Sequence, residues 1–292
     1  IMYITNRKPL AGDANQEGQV TQYSLSTPFD ISTATKTSQT DLLGGGSTPV
    51  LKYPHAIEFK PDGTKMFVVS GDAFSDVYQY KLTTAWDSSS AEFETIHAVT
   101  RDNDTRHLRT LAFKPDGTRM YTGGKSNPST KSKIKQFTLT NPWDLTSGVS
   151  TAVLSNDLGS SEPNLRNAQF DNTGKILYVG GNDNDDIHKY TLSTAWDITS
   201  LSSSFTTFDL VSGFSQMRGF IFVAGFTRLF VVDDTATIAN LRGEDIDGHS
   251  LDSDDPRAIL HNRWMWELEQ QDKPNPEPFR EYLLVNCQNC GS

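Results

Sequence analysis

The chain alternates short apolar runs with polar turns, and this pattern returns at a fixed interval. One phrase starts with an aromatic residue, has a second aromatic residue six positions later and ends in the Asp that follows it. It occupies Tyr23–Asp30, Tyr80–Asp87, Phe137–Asp144 and Tyr190–Asp197. The aromatic residue before Asp recurs at positions 29, 86, 143 and 196, so the steps are 57, 57 and 53 residues. A period of this length is typical of a repeat architecture.

A second phrase places Pro-Asp-Gly, or a looser equivalent, between two apolar runs. The first runs end at Phe59, Phe113, Phe170 and Phe222, and the second runs start at Met66, Met120, Leu177 and Leu229. Pro fixes φ, Asp caps the turn and Gly takes positive φ, so each pair of runs predicts a β-hairpin. An alternating third run follows at 76–82, 133–139 and 186–192, and a weaker fourth at 93–99 and 151–154.

Alternation with period two, together with many β-branched and aromatic residues, favours strands over helices. Four strands per unit of ~50 residues is the layout of a β-propeller blade. We therefore predict an all-β fold, a β-propeller-like array of about five four-stranded blades with a short α/extended C-terminal appendage. A sandwich or a barrel is the competing all-β interpretation, but neither requires a strict repeat.

The pattern divides the chain into a repeat domain, residues 1–241, and a C-terminal segment, residues 242–292. The predicted units lie near 1–53, 54–106, 107–163, 164–215 and 216–241. Residues 1–4 match 65–68, so unit one is expected to begin at its second strand. Closure of a ring by strands from both ends and a piece of a longer repeat protein are both compatible with this start. The C-terminal segment combines an acidic linker, a predicted helix opening at Asp255 and a tail with two cysteines.

Cys287 and Cys290 form one Cys-x-x-Cys pair, which is at most half of a zinc site. A disulfide within the chain, one between chains, and two free thiols are all compatible with this spacing.

The charge balance disfavours nucleic acid as a partner. The sequence has 26 Lys and Arg against 36 Asp and Glu, a net charge of −10, whereas phosphate binding needs a basic face. No apolar run is long enough for membrane insertion by a helix. No nucleophile elbow, His-Glu-x-x-His motif or phosphate loop occurs, so no catalytic residue is predicted and the chain is expected not to be an enzyme.

The repeated Asp and the aromatic residue before it have a structural interpretation. Asp87, Asp144 and Asp197 should accept hydrogen bonds from backbone N–H groups in a turn. Trp86, Trp143 and Trp196 should bury apolar area that the neighbouring unit covers.

One polar position repeats four residues before the first-strand Phe, and its residues are candidates for ligand binding: His55, Arg109, Arg166 and Arg218. Even spacing would place each on the face of the apolar residue two positions later. Each side chain could pair with a carboxylate of its own or the next unit. Alternatively, the four could form an electropositive collar for an anionic sugar or a partner's acidic loop.

Two further candidate sites lie around and beyond the end of the repeat. The acidic residues Asp245, Asp247, Asp252 and Asp254 could hold calcium, which prefers several carboxylates on a turning loop; a solvated linker is the alternative. The apolar residues Trp264, Met265 and Trp266 need cover and are candidates for docking between subunits. No other cofactor is expected.

The compound phrase of Phe59–Val68 with Tyr80–Asp87 resembles a repeat of structural and tail-associated proteins of tailed phages and of bacterial surface proteins. The resemblance covers roughly residues 1–241. Unit one departs from it with Pro28-Phe29 in place of Ala-Trp, and unit five lacks the Trp-Asp turn.

This resemblance implies a non-enzymatic structural or adhesive subunit of an extracellular assembly, such as a phage tail fibre or surface filament. The propeller would be the display or binding platform and the C-terminal segment would dock to other subunits. The expected partners are subunits of the same assembly and surface glycans, at the cell exterior or the virion surface. The alternative is a glycan-binding lectin or a glycoside-acting enzyme, with carboxylates drawn from Asp72, Asp76, Asp183, Asp185 and Asp186.

Overall fold

The structure is a computed structural model that describes residues 1–7, 18–42, 51, 53–71, 75–99, 107–125, 132–156, 158, 164–181, 186–208, 217–223, 228–235 and 238–245. The described residues form nineteen β-strands in five antiparallel sheets, so the all-β class is confirmed. Each sheet uses strands that are consecutive in the chain. Among the described residues no helix is long and apolar enough to cross a membrane.

The sheets are numbered one to five in chain order. Sheet one contains β1 (Met2–Arg7), β2 (Gly18–Leu25) and β3 (Ala34–Asp41). Sheet two contains β4 (Pro54–Phe59), β5 (Lys65–Gly71), β6 (Ser75–Leu82) and β7 (Ala91–Ala98). Sheet three contains β8 (His107–Phe113), β9 (Arg119–Lys125), β10 (Ile134–Asn141) and β11 (Asp144–Val149), and β12 (Val153–Leu154) also pairs with β10.

Sheet four contains β13 (Leu165–Phe170), β14 (Ile176–Gly181), β15 (Ile187–Leu192) and β16 (Leu201–Phe208). Sheet five contains β17 (Met217–Val223), β18 (Arg228–Thr235) and β19 (Ile238–Asp245). Sheets two to five each start with the hairpin that the sequence predicts. The first-strand Phe pairs with the predicted residue in every case: Phe59 with Met66, Phe113 with Met120, Phe170 with Leu177, and Phe222 with Leu229.

The fourth strand of unit three differs from the prediction at 151–154. Strand β11 starts directly at Asp144, and β12 is a separate two-residue strand. In units one, two and four a short 3₁₀ turn follows the Asp instead, at Ile31–Thr33, Ser88–Ser90 and Ile198–Ser200. The unit-three turn therefore reaches the same sheet edge without the 3₁₀ step.

Strand β19 continues past residue 241 and pairs along its whole length with β18. Its last residue, Asp245, pairs with Arg228, so this predicted calcium ligand lies at a strand end rather than on a turning loop. Asp247, Asp252, Asp254, Trp264, Met265, Trp266 and both cysteines lie outside the described residues. The calcium and docking predictions at those positions stay predictions.

The two repeated turns of a unit are joined to each other. The Pro-Asp-Gly turn puts Gly63, Gly117 and Gly174 at φ between +69° and +74°. The backbone N–H of the aromatic residue before Asp donates to the carbonyl of that Gly, at 3.0 Å from Trp86 and Trp143 and 2.9 Å from Trp196. The indole covers the Gly so closely that a Cβ there would collide with the ring. The sequence therefore needs Gly at this position for its backbone angle and for the space.

The Asp of the second turn has the role that the sequence predicts. Its Oδ1 accepts from the backbone N–H two residues later, at 2.9 Å from Ser89 to Asp87 and 3.1 Å from Thr199 to Asp197. Asp144 accepts in the same way from Thr146 at 3.1 Å. Each carboxylate thus replaces a backbone partner in the turn.

An aromatic junction fills the space between consecutive sheets. An aromatic residue on β1, β5, β9 or β14 lies against the first-strand Phe of the next sheet. The ring centroids are 4.3 to 4.7 Å apart in the pairs Tyr3–Phe59, Phe67–Phe113, Tyr121–Phe170 and Tyr178–Phe222. In units two to four the Trp packs on that Phe from within its own sheet. Trp143 is also 6.1 Å from Phe67 of the preceding sheet, as the sequence predicts for neighbour cover. Aromatic rings bury large apolar areas, so these pairs contribute strongly to the packing between the sheets.

A glutamine amide completes three of these junctions. Gln22, Gln79 and Gln136 lie on β2, β6 and β10. Their Oε1 atoms accept from the first backbone N–H after the Asp of the next sheet, at 2.8, 2.7 and 2.9 Å. The three glutamines are 57 residues apart. Lys189 stands at the equivalent position of sheet four, and the next unit is the one that lacks the Trp-Asp turn.

Candidate functional site

The four candidate ligand-binding residues share a backbone feature that the sequence did not predict. The pairing register between first and second strands shifts between Pro54 and Ala56 in sheet two, which leaves His55 as the extra residue of a β-bulge. The equivalent shifts leave out Arg109, Arg166 and Arg218 in sheets three, four and five. Because a bulge interrupts the alternation of a strand, even spacing from Ile57 does not fix where these side chains point. Bulges often occur next to functional sites, where they re-aim a side chain.

The structure brings three of the four bulges into one row. The first strands β4, β8, β13 and β17 contact one another in sequence. His55 lies close enough to Arg109 for the guanidinium to lower its pKa. The residues that follow Arg109 and Arg166 touch directly, since the hydroxyl of Thr110 lies 3.4 Å from Oδ1 of Asn167 and accepts from the N–H of Ala168 at 3.1 Å. Arg109 and Arg166 therefore occupy adjacent positions on neighbouring strands.

Sheet five continues the row through backbone contacts. Nδ2 of Asn167 donates to the carbonyl of Phe220. The amide of Gln169 exchanges two hydrogen bonds with Phe222, at 3.0 and 2.8 Å. The bulge of Arg218 lies two residues before Phe220, so its backbone follows Arg166 in the same order.

His55 is a buried neutral imidazole at this end of sheet two. It is 9% exposed, and its ring lies against the α-carbon of Gly71, where a Cβ would collide with it. Burial, followed by the nearby positive charges of Arg109 and His107, lowers the pKa of His55 to about 3. Nδ1 of His107 lies 3.0 Å from the carbonyl of Gly71, so His107 links sheet three to sheet two here. At neutral pH the positive charge of the row therefore comes from its arginines.

Arg166 is more deeply buried than Arg109. It is 8% exposed, and its Nε and Nη1 atoms are buried without a hydrogen-bond partner among the described residues. Ion pairs elsewhere in the described residues include Lys60 with Asp62, Lys65 with Glu94 and Asp144, and Lys114 with Asp116. A guanidinium stays protonated in proteins, so Arg166 presents buried donors that carry a full charge.

The carboxylates proposed for glycoside chemistry are only partly described. Asp72, Asp183 and Asp185 lie outside the described residues. Asp76 lies on β6 opposite Ser70 and Ala98, and burial raises the pKa of its carboxyl group. Asp186 directly precedes β15. In the described part of the chain no three His, Cys, Asp or Glu residues lie together as a metal site would require.

Sequence reasoning identified the basic position and missed both its bulge and the junction glutamines. The glutamines carried a usable signal, because Gln22, Gln79 and Gln136 repeat with the same 57-residue step as the aromatic residues. The bulges carried none that a period-two pattern can detect.

No family model matches the chain, and no curated protein matches it. Among solved structures, it is similar to a functionally unknown protein from Desulfotomaculum acetoxidans, with a TM-score of 0.42 and 9% identity over 85% of this chain and 63% of that one. It is also similar to a Lactobacillus plantarum protein, with a TM-score of 0.44 and 16% identity over 79% of this chain and 62% of that one. A periplasmic gluconolactonase from Pseudomonas aeruginosa gives a TM-score of 0.49 and 15% identity over 84% and 68%.

The chain spans 63% and 62% of the length of the first two structures. At these scores and identities, none of the three assigns an activity to this chain.

Proposed function

We propose that the five sheets are the blades of a β-propeller-like ring. The support is geometric: the first strands contact one another in chain order, and the same aromatic junction recurs between consecutive sheets. A further contact links the last sheet to the first, because Ile221 of β17 packs against the cluster of Met2, Ile4 and Tyr23 in sheet one. An open row of sheets would not need this contact.

Within that ring, the protein acts as a non-enzymatic structural or adhesive subunit of an extracellular assembly, such as a tail fibre or surface filament. The observation that carries this proposal is the structural role of the repeated residues. Its aromatic residues, its glycines, its Asp and three glutamines are all engaged in turns and junctions between sheets. The repeated residues therefore build a rigid platform, and partner contacts fall to the loops and to the segment after β19.

A truncation tests the docking role of that segment. Removing residues 246–292 leaves β19 whole, since this strand ends at Asp245. We expect the shortened chain to keep its β-sheet circular dichroism and a cooperative thermal transition, but to run as a monomer in size-exclusion chromatography with light scattering. The full chain should form larger assemblies under the same conditions.

A full-length variant with Trp264→Ser and Trp266→Ser serves as a second test, because it keeps the chain length. Loss of assembly in both proteins supports docking through this segment. Unchanged assembly in both overturns it.

One observation favours the alternative, a lectin or glycoside-acting enzyme. The half-buried carboxyl group of Asp76 has a raised pKa, as a general acid requires. A glycan array combined with a hydrolysis screen separates the cases. Hydrolysis that disappears in Asp76→Asn would establish the enzyme, and glycan binding without turnover would establish the lectin.

A further inference from the structure

The bulges of sheets three and four set the backbones of two arginines on neighbouring strands. Arg109 is half-buried and Arg166 is buried. Their neighbours Thr110 and Asn167 are in contact, so the two backbones are fixed side by side. Like charges held together away from water repel each other strongly, because the local dielectric constant is low. A negative group bound at Arg166 would reduce this repulsion.

Arg166 carries buried donors that need an acceptor. Two of its nitrogen atoms, Nε and Nη1, are buried and lack hydrogen-bond partners among the described residues. Leaving a charged donor buried and unbonded costs more than leaving a neutral one. The neighbouring His55 cannot compensate, since a neutral imidazole carries no negative charge.

We propose that the row of bulges at Arg109 and Arg166 is a binding site for a small oxyanion, namely a carboxylate group. A planar carboxylate matches the donors of a guanidinium in shape and charge. The site is confined, and the chain carries a net charge of −10, so a compact ligand with one negative charge is favoured over a polyanion. Two sources share this chemistry, a simple carboxylic acid and an acidic sugar. The inference does not depend on the proposed assembly role, because an isolated subunit would bind the anion as well.

Thermal denaturation of the full-length chain at constant ionic strength tests the site. The probes are sodium acetate, sodium glucuronate, neutral glucuronamide and sodium phosphate, each compared with sodium chloride. We expect the two carboxylates to raise the melting temperature by about 5 °C near saturation, as a ligand that binds only the folded state does. Glucuronamide should leave it unchanged.

The relative strength of the probes identifies the source. If glucuronate reaches half-saturation at a much lower concentration than acetate, the ligand is an acidic sugar. Equal half-saturation concentrations indicate that the carboxylate group alone is recognised. A shift with phosphate but with neither carboxylate overturns the assignment. So does the absence of any shift relative to chloride.

Matched variants locate the effect. In Arg166→Gln the carboxylate-dependent shift should disappear, and in Arg166→Lys half-saturation should rise about tenfold, since an ammonium group lacks the planar donor fork. Lys81→Gln changes the net charge equally at an exposed residue of β6 and should keep the full shift. A shift of the same size in Arg166→Gln overturns the proposal. The proposal is also overturned if Arg166→Gln loses much stability without any anion while the wild type shows no shift. That result would mean that Arg166 pairs with a carboxylate of the chain itself.

Discussion

At the scale of single residues, the aromatic position before each Asp combines two opposing requirements. Phe29, Trp86, Trp143 and Trp196 have φ between 59° and 66°, a left-handed conformation that costs energy for any residue with a Cβ. The bond from their N–H to the carbonyl of the turn Gly offsets that cost in units two to four, and so does the packing of the indole on that Gly. The contacts with the Gly turn thus stabilise the strained backbone of the Trp-Asp turn.

A double-mutant cycle measures this dependence at Gly117 and Trp143. Gly117→Ala should lower the free energy of unfolding by about 3 kcal/mol, because the new Cβ meets both a φ of +74° and the indole ring. In a Trp143→Gly background the same change should cost less, since only the backbone term is left. Urea unfolding of the four proteins gives the coupling, expected at about 1–2 kcal/mol.

Gly148 supplies the control for this cycle. It has a φ of +113°, and its nearest side-chain neighbour is Oγ1 of Thr140, 3.1 Å from an added Cβ. Gly148→Ala should show no coupling to Trp143→Gly. Additive effects at Gly117 would contradict the proposed contact.

The buried imidazole of His55 makes the free energy of unfolding depend on pH. Its folded pKa of about 3 lies below the ordinary value of about 6.5, so the unfolded chain binds the proton more readily. The contribution of His55 is fully present above about pH 6.5 and decreases as the pH falls toward 3. Arg109 and His107 face the ring and oppose its protonation.

We expect His55→Gln to weaken this dependence. The difference between the urea midpoints at pH 7.5 and pH 4.5 should be smaller in the variant than in the wild type. Comparing differences rather than absolute midpoints removes any cost of the substitution itself. Equal differences would show that the pKa of His55 is not lowered in the folded chain.

At the scale of strands and sheets, each sheet contributes two kinds of surface. In sheets one to three, two neighbouring strands (β1 and β2, β5 and β6, β9 and β10) carry the aromatic residue and the Gln that face the following sheet. The first strand and the Asp turn of sheets two to four carry the Phe, the Trp and the backbone N–H that receive them. Sheets two and three carry both parts, whereas sheet four lacks the Gln and meets sheet five through Tyr178 and Phe222.

Gln136 provides the test of this junction. Gln136→Ala should lower the free energy of unfolding by about 1–3 kcal/mol, because the N–H of Ile198, now 2.9 Å from Oε1, loses its acceptor while it stays buried. Lys189→Ala at the equivalent position of sheet four should cost much less. Chemical denaturation of both variants checks this, and equal losses would argue against a specific role for the amide.

At the scale of the whole molecule, the sequence predicts what depends on a repeated local pattern. The hairpins follow from Pro-Asp-Gly between apolar runs, and the pairing of Phe59 with Met66 follows from the turn length. The start of β11 at Asp144 does not follow from the pattern. Unit three keeps the Trp-Asp phrase, but its strand begins at the Asp, whereas a 3₁₀ turn follows the Asp in units one, two and four.

The site was harder to predict than the sheets for a physical reason. The bulges at His55, Arg109 and Arg166 depend on a strand having one more residue than its partner over the same length, which is a property of two strands together. Position in the repeat indicated that these residues are equivalent. Their burial, and the orphaned donors of Arg166, depend on how neighbouring sheets meet.

The junction between sheets also bears on how such a chain can change in size. Residues 54–106 bring a receiving surface, with Phe59 and the Trp86 turn, and a presenting surface, with Phe67 and Gln79. A tandem duplication of one whole unit would place these two surfaces against partners that already fit them. Growth or loss in steps of about one repeat is therefore compatible with an intact core, whereas an insertion of half a unit would leave a Gln or an indole without its counterpart.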